Sequence, residues 1–145
     1  MNAMSDQHSA RAPQQRLLAV LIALGILSTA VHYAHNFAMA DCYPPIGWVD
    51  ARAFRIGIVV FWPLCTASAL LGYRLYAQGR DRAAQLALLA YTPLGLTTPL
   101  HFLGGTPDIP PFFMATIFTD FLTSFAILAF ALWLSSARAA GRARR

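Results

Sequence analysis

The first long apolar stretch of the sequence, LLAVLIALGILSTAVHYAHNFAM, runs from Leu17 to Met39. A helix that crosses a membrane needs about 20 mostly apolar residues, and this stretch is long enough. Its C-terminal third nevertheless carries His32, His35 and Asn36, whose side chains cost free energy in contact with hydrocarbon. The stretch therefore predicts a transmembrane helix whose C-terminal end faces polar groups of the same protein rather than lipid.

The whole chain has the composition of a membrane protein. Of its 145 residues, 57% are hydrophobic and 12% are charged, and the mean hydropathy is +0.51. That is too apolar for a soluble domain of this size. The net charge of +5 does not indicate a nucleic-acid-binding protein, because the arginines flank the apolar stretches and do not alternate with exposed aromatic residues. We expect membrane lipids, and not nucleic acid, as partners.

Three further stretches match the first in length and apolar character. The connections between the stretches are short and contain proline, glycine or charged residues, which end helices. Short connections place consecutive helices antiparallel and side by side. The sequence thus predicts a single all-α domain over residues 1–145, an up-and-down four-helix transmembrane bundle with helices at 17–39, 54–76, 83–102 and 112–134.

The basic residues predict how the bundle lies in the membrane. All eleven are arginines, and all except Arg52 and Arg55 lie before the first stretch, around the second connection or after the fourth stretch. Positively charged flanking segments are retained in the cytoplasm. We therefore predict a multi-pass protein of the inner (plasma) membrane with both termini in the cytoplasm and the first and third connections outside.

A cleavable signal peptide is the competing interpretation of the N-terminal segment. It has a charged start, an apolar core from Leu17 to Val31, and the small-x-small triplet Ala38-Met39-Ala40. Cleavage would then leave a mature chain that begins at Asp41. The sequence alone leaves this alternative open, although the apolar stretch is long enough to span a membrane.

Polar side chains recur at spacings of three and four residues on three of the predicted helices, which places them on one face of each. The stripes comprise Ser28, His32, His35 and Asn36 on the first helix, Thr97, Thr98 and His101 on the third, and Thr116, Thr119, Asp120, Thr123 and Ser124 on the fourth. Because an ionisable side chain is costly in lipid, we expect the three stripes to face one another near the outer surface. The sequence predicts a polar chamber in which His32 is the best candidate partner of Asp120.

The lining of this chamber supplies the candidate ligand-binding residues, together with one aromatic residue of the second helix. They are His32, His35, Asn36, His101, Asp120, Thr116 and Trp62. Each also has a structural interpretation: the hydroxyls can bond to the helix backbone, the histidines can lie at the membrane interface, and His32 can form a purely structural pair with Asp120.

A metal or haem site is the first of three functional hypotheses. His32 and His35, three residues apart on one helix, and His101 on another can supply three neutral imidazoles. Imidazole suits copper, zinc and haem iron, and Asp41, Cys42 or Asp120 would complete the site.

An apolar-ligand pocket is the second hypothesis. Pro63, Pro93 and Pro99 each remove a backbone hydrogen bond, and the kinks that result can widen a bundle. A histidine and a buried aspartate can exchange protons with a bound isoprenoid or sterol. The same pair would serve either an enzyme that moves a double bond in such a ligand or a protein that only binds it.

The third hypothesis is an accessory subunit that packs in a homo-oligomer or a larger membrane complex. Ala30, Ala34 and Ala38 follow one another at four-residue spacing, which suits close packing between helices. The same spacing serves packing inside the bundle equally well.

Four short motifs resemble those of small bacterial four-helix membrane proteins. They are HYAHN at His32–Asn36, CYPPIGW at Cys42–Trp48, FWP at Phe61–Pro63 and PLHF at Pro99–Phe102. A fainter resemblance, carried by Tyr43-Pro44 and by YTPLGLTTPL at Tyr91–Leu100, is to the EXPERA families, which include the emopamil-binding sterol isomerases and the sigma-2 receptor proteins. That resemblance implies acidic and histidine side chains in a lipid-facing cavity and a sterol-like or amine ligand, although this sequence contains no glutamate.

Overall fold

The protein is described by a computed structural model that covers the backbone of residues 3–43, 47 and 49–143, and the side chains of residues 11–43, 47 and 49–137. Within these ranges every element is helical, as predicted. The elements are α1 (Ala3–Ala38), a 3₁₀ turn (Ala40–Cys42), α2 (Ala51–Ala77), α3 (Asp81–Tyr91), α4 (Pro93–Leu96), a 3₁₀ turn (Thr98–Phe102) and α5 (Pro111–Ala143). Pro44, Pro45 and Trp48 of the first connection, and Arg144 and Arg145, lie outside the described residues.

Three of the predicted helices form and are longer than predicted. The first begins at Ala3 rather than at 17, and the last continues to Ala143 rather than ending at 134. Both extensions are rich in alanine, glutamine or arginine, which are good helix formers. Three segments within them are long and apolar enough to cross a membrane: Arg11–Ala38, Ala51–Ala77 and Pro111–Ala137.

The prediction of one continuous helix over 83–102 is wrong. The helix α3 has 11 residues and ends at Tyr91, so at 1.5 Å per residue it is about 16 Å long, well short of the hydrocarbon core of about 30 Å. Pro93 and Pro99 follow, and each lacks the N–H that would continue a helix. The chain therefore proceeds through the single turn α4 and the 3₁₀ turn at Thr98–Phe102.

Hydrogen bonds between the helices show that neighbours in sequence run antiparallel. They join Ser28 to Asp120 and His32 to Thr116 (α1 with α5), Gln15 to Tyr73 and Thr29 to Trp62 (α1 with α2), and Gln85 to Ser135 and Thr98 to Ile117 (α3 and its continuation with α5). In every pair the residue number rises on one helix as it falls on the other. The predicted up-and-down order therefore holds. The third segment (residues 81–102), which is broken into α3, α4 and a 3₁₀ turn, runs alongside α5.

The short helix α4 lies unusually close to α5. A Cβ atom on Gly95 would stand 2.2 Å from Ser124 Oγ and 2.4 Å from the Asp120 carbonyl oxygen. Thr98 holds the following turn against the same helix, because its hydroxyl lies 3.0 Å from the Ile117 carbonyl oxygen. This close approach brings the turn at Thr98–Phe102, and with it His101, to the end of the bundle where α1 ends and α5 begins.

Candidate functional site

Four of the predicted site residues meet in one buried cluster, which we call the histidine cluster: His32 and Asn36 of α1, His101 of the second 3₁₀ turn, and Thr116 of α5. His32 and Asn36 are fully buried, and His101 is 8% exposed. The Nε2 atoms of the two histidines lie 3.3 Å apart. The Asn36 amide nitrogen lies 2.9 Å from His32 Nε2 and 3.3 Å from His101 Nε2.

Thr116 fixes the tautomer of His32. Its hydroxyl donates to the Phe113 carbonyl oxygen at 2.6 Å, so its single proton is used there. It can then only accept a hydrogen bond from His32 Nδ1, which lies 2.9 Å away. A neutral His32 therefore carries its proton on Nδ1 and directs the lone pair of Nε2 toward Asn36 and His101.

Two aromatic rings pack against His101. The ring centroid of Tyr43 lies 5.0 Å from that of His101, and the ring centroid of Phe54 lies 5.8 Å from it in an edge-to-face arrangement. Arg55 holds this end of α2 against α1, because it donates to the Phe37 carbonyl oxygen and forms an ion pair with Asp41, both at 2.9 Å. The first connection and the start of α2 thus help to enclose the cluster.

His35 does not join the other two histidines, which corrects the expected set of three imidazoles. Its ring stacks on Phe113, with centroids 3.8 Å apart, and its Nδ1 lies 2.9 Å from the Tyr43 hydroxyl. Burial raises the pKa of Tyr43, so this phenol stays protonated and able to donate. His35 points about 60° to one side of His32 around the helix axis and Asn36 about 40° to the other, and it is Asn36 that lies on the side of His101. In the part of the chain that the structure describes, no three His, Cys, Asp or Glu side chains are grouped so as to hold a metal ion.

Asp120 is fully buried, as its cost in lipid predicts, but its partner is not His32. The Ser28 hydroxyl donates to Asp120 Oδ1, while His32 pairs with Thr116 one helical turn away. Antiparallel packing explains the difference, because α1 and α5 pair Ser28 with Asp120 and, four residues further on each helix, His32 with Thr116. The other carboxylate oxygen of Asp120 is buried with no hydrogen-bond partner among the described residues.

The open space beside this cluster is apolar, whereas the sequence predicted a polar chamber. A cavity of about 450 Å³, which we call the lateral cavity, lies between α1, α2 and α4. Its lining is Tyr33, Val49, Ala53, Phe54, Gly57, Ile58, Phe61, Trp62, Cys65, Pro93, Leu94 and Thr97. Of the predicted site residues only Trp62 is among them. Phe54 links the two features, since it both lines the cavity and contacts His101.

The polar groups in this lining already have partners within the protein. The Tyr33 hydroxyl donates to the Leu94 carbonyl oxygen at 2.6 Å, and the Thr97 hydroxyl donates to the Pro93 carbonyl oxygen at 2.8 Å. The Trp62 indole donates to Thr29 Oγ1 at 3.2 Å. A molecule in the lateral cavity would therefore meet a surface that is almost entirely apolar.

Most of the residues that line the lateral cavity were not predicted from the sequence, because the predicted site was built from polar residues. The sequence of α2 nevertheless contains a pattern that indicates the cavity. Ala53, Gly57, Phe61 and Cys65 recur every four residues and so share one face. Two of these four side chains are small, and small residues on a helix of otherwise bulky apolar residues leave space beside it.

Comparison with protein-family models, with curated proteins and with solved structures finds no match to this chain. No relative therefore supplies a role for the histidine cluster or for the lateral cavity.

Proposed function

We propose that this chain is a multi-pass protein of the inner (plasma) membrane that binds an apolar, lipid-like molecule in the lateral cavity. The observation that carries the proposal is the cavity itself. Its volume of about 450 Å³ falls within the range of about 300–1,000 Å³ that is usual for small-molecule sites. Aromatic residues such as Phe54, Phe61 and Trp62 dominate its lining together with aliphatic ones.

The surface of the helices supports insertion in a membrane. Large apolar side chains on α2 point outward, including Val59, Phe61 and Leu64, which are 59%, 62% and 63% exposed. A soluble monomer rarely exposes a continuous apolar surface of this kind. The broken third segment fits the same environment, because irregular backbone is tolerated at membrane depth where protein buries it, and Thr98 and His101 are buried.

The chemistry of the lining favours a ligand whose buried part is a hydrocarbon chain or ring system. The donors of these polar lining groups are already used within the protein, so a ligand could only donate to the hydroxyl oxygens or displace an existing hydrogen bond. The resemblance of Tyr91–Leu100 to EXPERA proteins, with their sterol-like and amine ligands, points in the same direction. A polar headgroup, if the ligand has one, would lie at the open side of the cavity.

A side chain that fills the cavity is expected to remove the ligand and leave the fold intact. Gly57 lines the cavity, and a Cβ atom there would meet nothing nearer than Phe61 Cδ2 at 4.0 Å. Gly57→Trp should therefore direct its indole into the free volume. In lipid extracts of purified protein analysed by mass spectrometry, we expect a species enriched with the wild type to fall at least tenfold with this variant.

The matched control is Val60→Trp, which adds the same side chain to α2 at a position that is 46% exposed and outside the cavity lining. It should retain the enriched species at the wild-type level. The proposal fails if the wild type enriches no lipid or apolar metabolite over the surrounding membrane, or if the two tryptophan variants lose it equally.

The orientation inferred from the arginines is tested by labelling single cysteines. In a background with Cys42→Ser and Cys65→Ser, a membrane-impermeant maleimide should label Asp108→Cys in intact cells. Gln78→Cys should be labelled only after lysis. Both positions are exposed, so access to the reagent depends on the side of the membrane. Labelling of Gln78→Cys in intact cells would reverse the proposed topology.

A further inference from the structure

We propose that the histidine cluster binds a transition-metal ion through His32 Nε2, His101 Nε2 and the side-chain oxygen of Asn36. The first observation is the distance of 3.3 Å between the two Nε2 atoms. Two imidazole nitrogens bound at about 2.0–2.1 Å to one tetrahedral ion stand about 3.3–3.4 Å apart. The distance between the two nitrogens is thus the distance that adjacent ligands of such an ion would have.

The tautomer of His32 provides the second observation. A histidine that binds a metal through one ring nitrogen nearly always donates a hydrogen bond from the other, which fixes its orientation. His32 Nδ1 donates in this way to Thr116 Oγ1, and Thr116 is itself tied to the Phe113 carbonyl oxygen. His32 Nε2 is therefore left with a lone pair that points at His101.

Asn36 can provide the third ligand. Its amide nitrogen contacts both Nε2 atoms, while its Oδ1 is fully buried and has no hydrogen-bond partner among the residues that the structure describes. The oxygen and nitrogen of an amide have nearly the same shape, and only their hydrogen bonds distinguish the two orientations. Within the described part of the chain these two contacts are the amide's side-chain hydrogen bonds, so a half-turn of the side chain would place Oδ1 where it can bind an ion.

The three ligand atoms, two imidazole nitrogens and one amide oxygen, indicate which metal ions the histidine cluster can bind. Imidazole suits zinc and copper, whereas magnesium and calcium prefer sites made entirely of oxygen. Haem does not fit, because two axial histidines lie on opposite faces of the macrocycle and a separation of 3.3 Å leaves no space for one. With two imidazoles and one amide oxygen, a tetrahedral ion keeps one position open.

The test uses protein purified without a polyhistidine tag, stripped with a chelator, loaded with Zn²⁺ or Cu²⁺ in lipid nanodiscs, and freed of unbound ion. The chain contains four histidines, and the double variant His8→Ala/His35→Ala keeps only His32 and His101. We expect one ion per chain in the wild type and in this double variant, and less than a tenth of that in His101→Ala. Thr116→Val, which removes the group that orients His32, should weaken binding about 10- to 100-fold.

Pulsed electron paramagnetic resonance on the Cu²⁺-loaded double variant gives a readout that does not depend on altering the site. Two coordinated imidazoles are expected, and in this variant they can only be His32 and His101. Should His101→Ala fail to fold, this spectrum decides the matter alone. The proposal is overturned if the double variant binds no ion near a ratio of one, or if its spectrum shows fewer than two imidazoles.

Discussion

Replacing Gly95 with alanine is expected to lower the free energy of unfolding by about 3 kcal/mol, at the upper end of the usual cost of overpacking. The added Cβ atom would lie 2.2 Å from Ser124 Oγ and 2.4 Å from the Asp120 carbonyl oxygen. The serine hydroxyl can rotate away, but the carbonyl belongs to the backbone of α5 and cannot. Either α4 must move away from α5 or α5 must bend. Unfolding by SDS in mixed micelles would measure the resulting decrease in the free energy of unfolding.

Gly57→Ala is the matched control, because it makes the same change in a helix where a Cβ atom has free space. It should leave the free energy of unfolding the same or raise it slightly, since alanine is the better helix former. Equal losses for the two variants would mean that α4 does not pack on α5 as closely as described. The position of His101 would then be in doubt as well.

Replacing His32 with alanine is expected to cost about 3 kcal/mol in metal-free protein, from the cavity left behind and from the loss of hydrogen bonds that leaves Asn36 short of an acceptor. His32 is fully buried and contacts Thr116, Asn36 and His101. His35→Ala, on the same helix, should cost about 1 kcal/mol, because that ring is only partly buried and its hydrogen bond is to one phenol.

Measuring unfolding in the presence of a chelator separates the stability lost with the His32 side chain from the stability lost with a bound ion. The informative quantity is the difference in free energy of unfolding between His32→Ala and His35→Ala, since both variants remove an imidazole from α1. A cost for His35→Ala equal to that for His32→Ala would show that the histidine cluster does not hold together the end of the bundle where α1 ends and α5 begins.

Much of the helical architecture could be predicted from the sequence, because long apolar stretches separated by short connections allow few arrangements. The error in the third segment has a local cause that was visible in the sequence. Pro93 and Pro99 were interpreted as kinks in one helix, but α3 stops at Tyr91 and the chain continues as separate turns. Each proline removes one backbone donor and its ring clashes with the carbonyl group four residues before it, so two prolines six residues apart interrupt the helix first after Tyr91 and again after Leu96.

The candidate site was predictable in part. Polar stripes predicted that α1, α5 and the third segment would meet, and His32, Asn36, His101 and Thr116 do meet. The stripe alone could not tell which polar residues pair, because a shift of one helical turn decides whether His32 meets Thr116 or Asp120. That register depends on packing between α1 and α5, such as that of Gly25 beside Ile127, which becomes visible only in three dimensions.

The lateral cavity was not predicted, for a related reason. A cavity is a property of the space between elements, and no single residue marks it. Its walls come from α1, α2 and α4, so it depends on how the broken third segment packs beside α1 and α2. Among the lining residues, the small Ala53 and Gly57 were the sequence features that indicated free space beside α2.

The central claim, that the lateral cavity holds one apolar molecule, is tested most directly by the mass of the intact chain released from lipid nanodiscs. At collision energies that strip loosely associated lipid, the wild type and Val60→Trp should each keep one molecule of defined mass per chain, and Gly57→Trp should appear bare. A wild-type chain that appears bare at the same energies, or a Gly57→Trp chain that keeps the same molecule, would contradict the account.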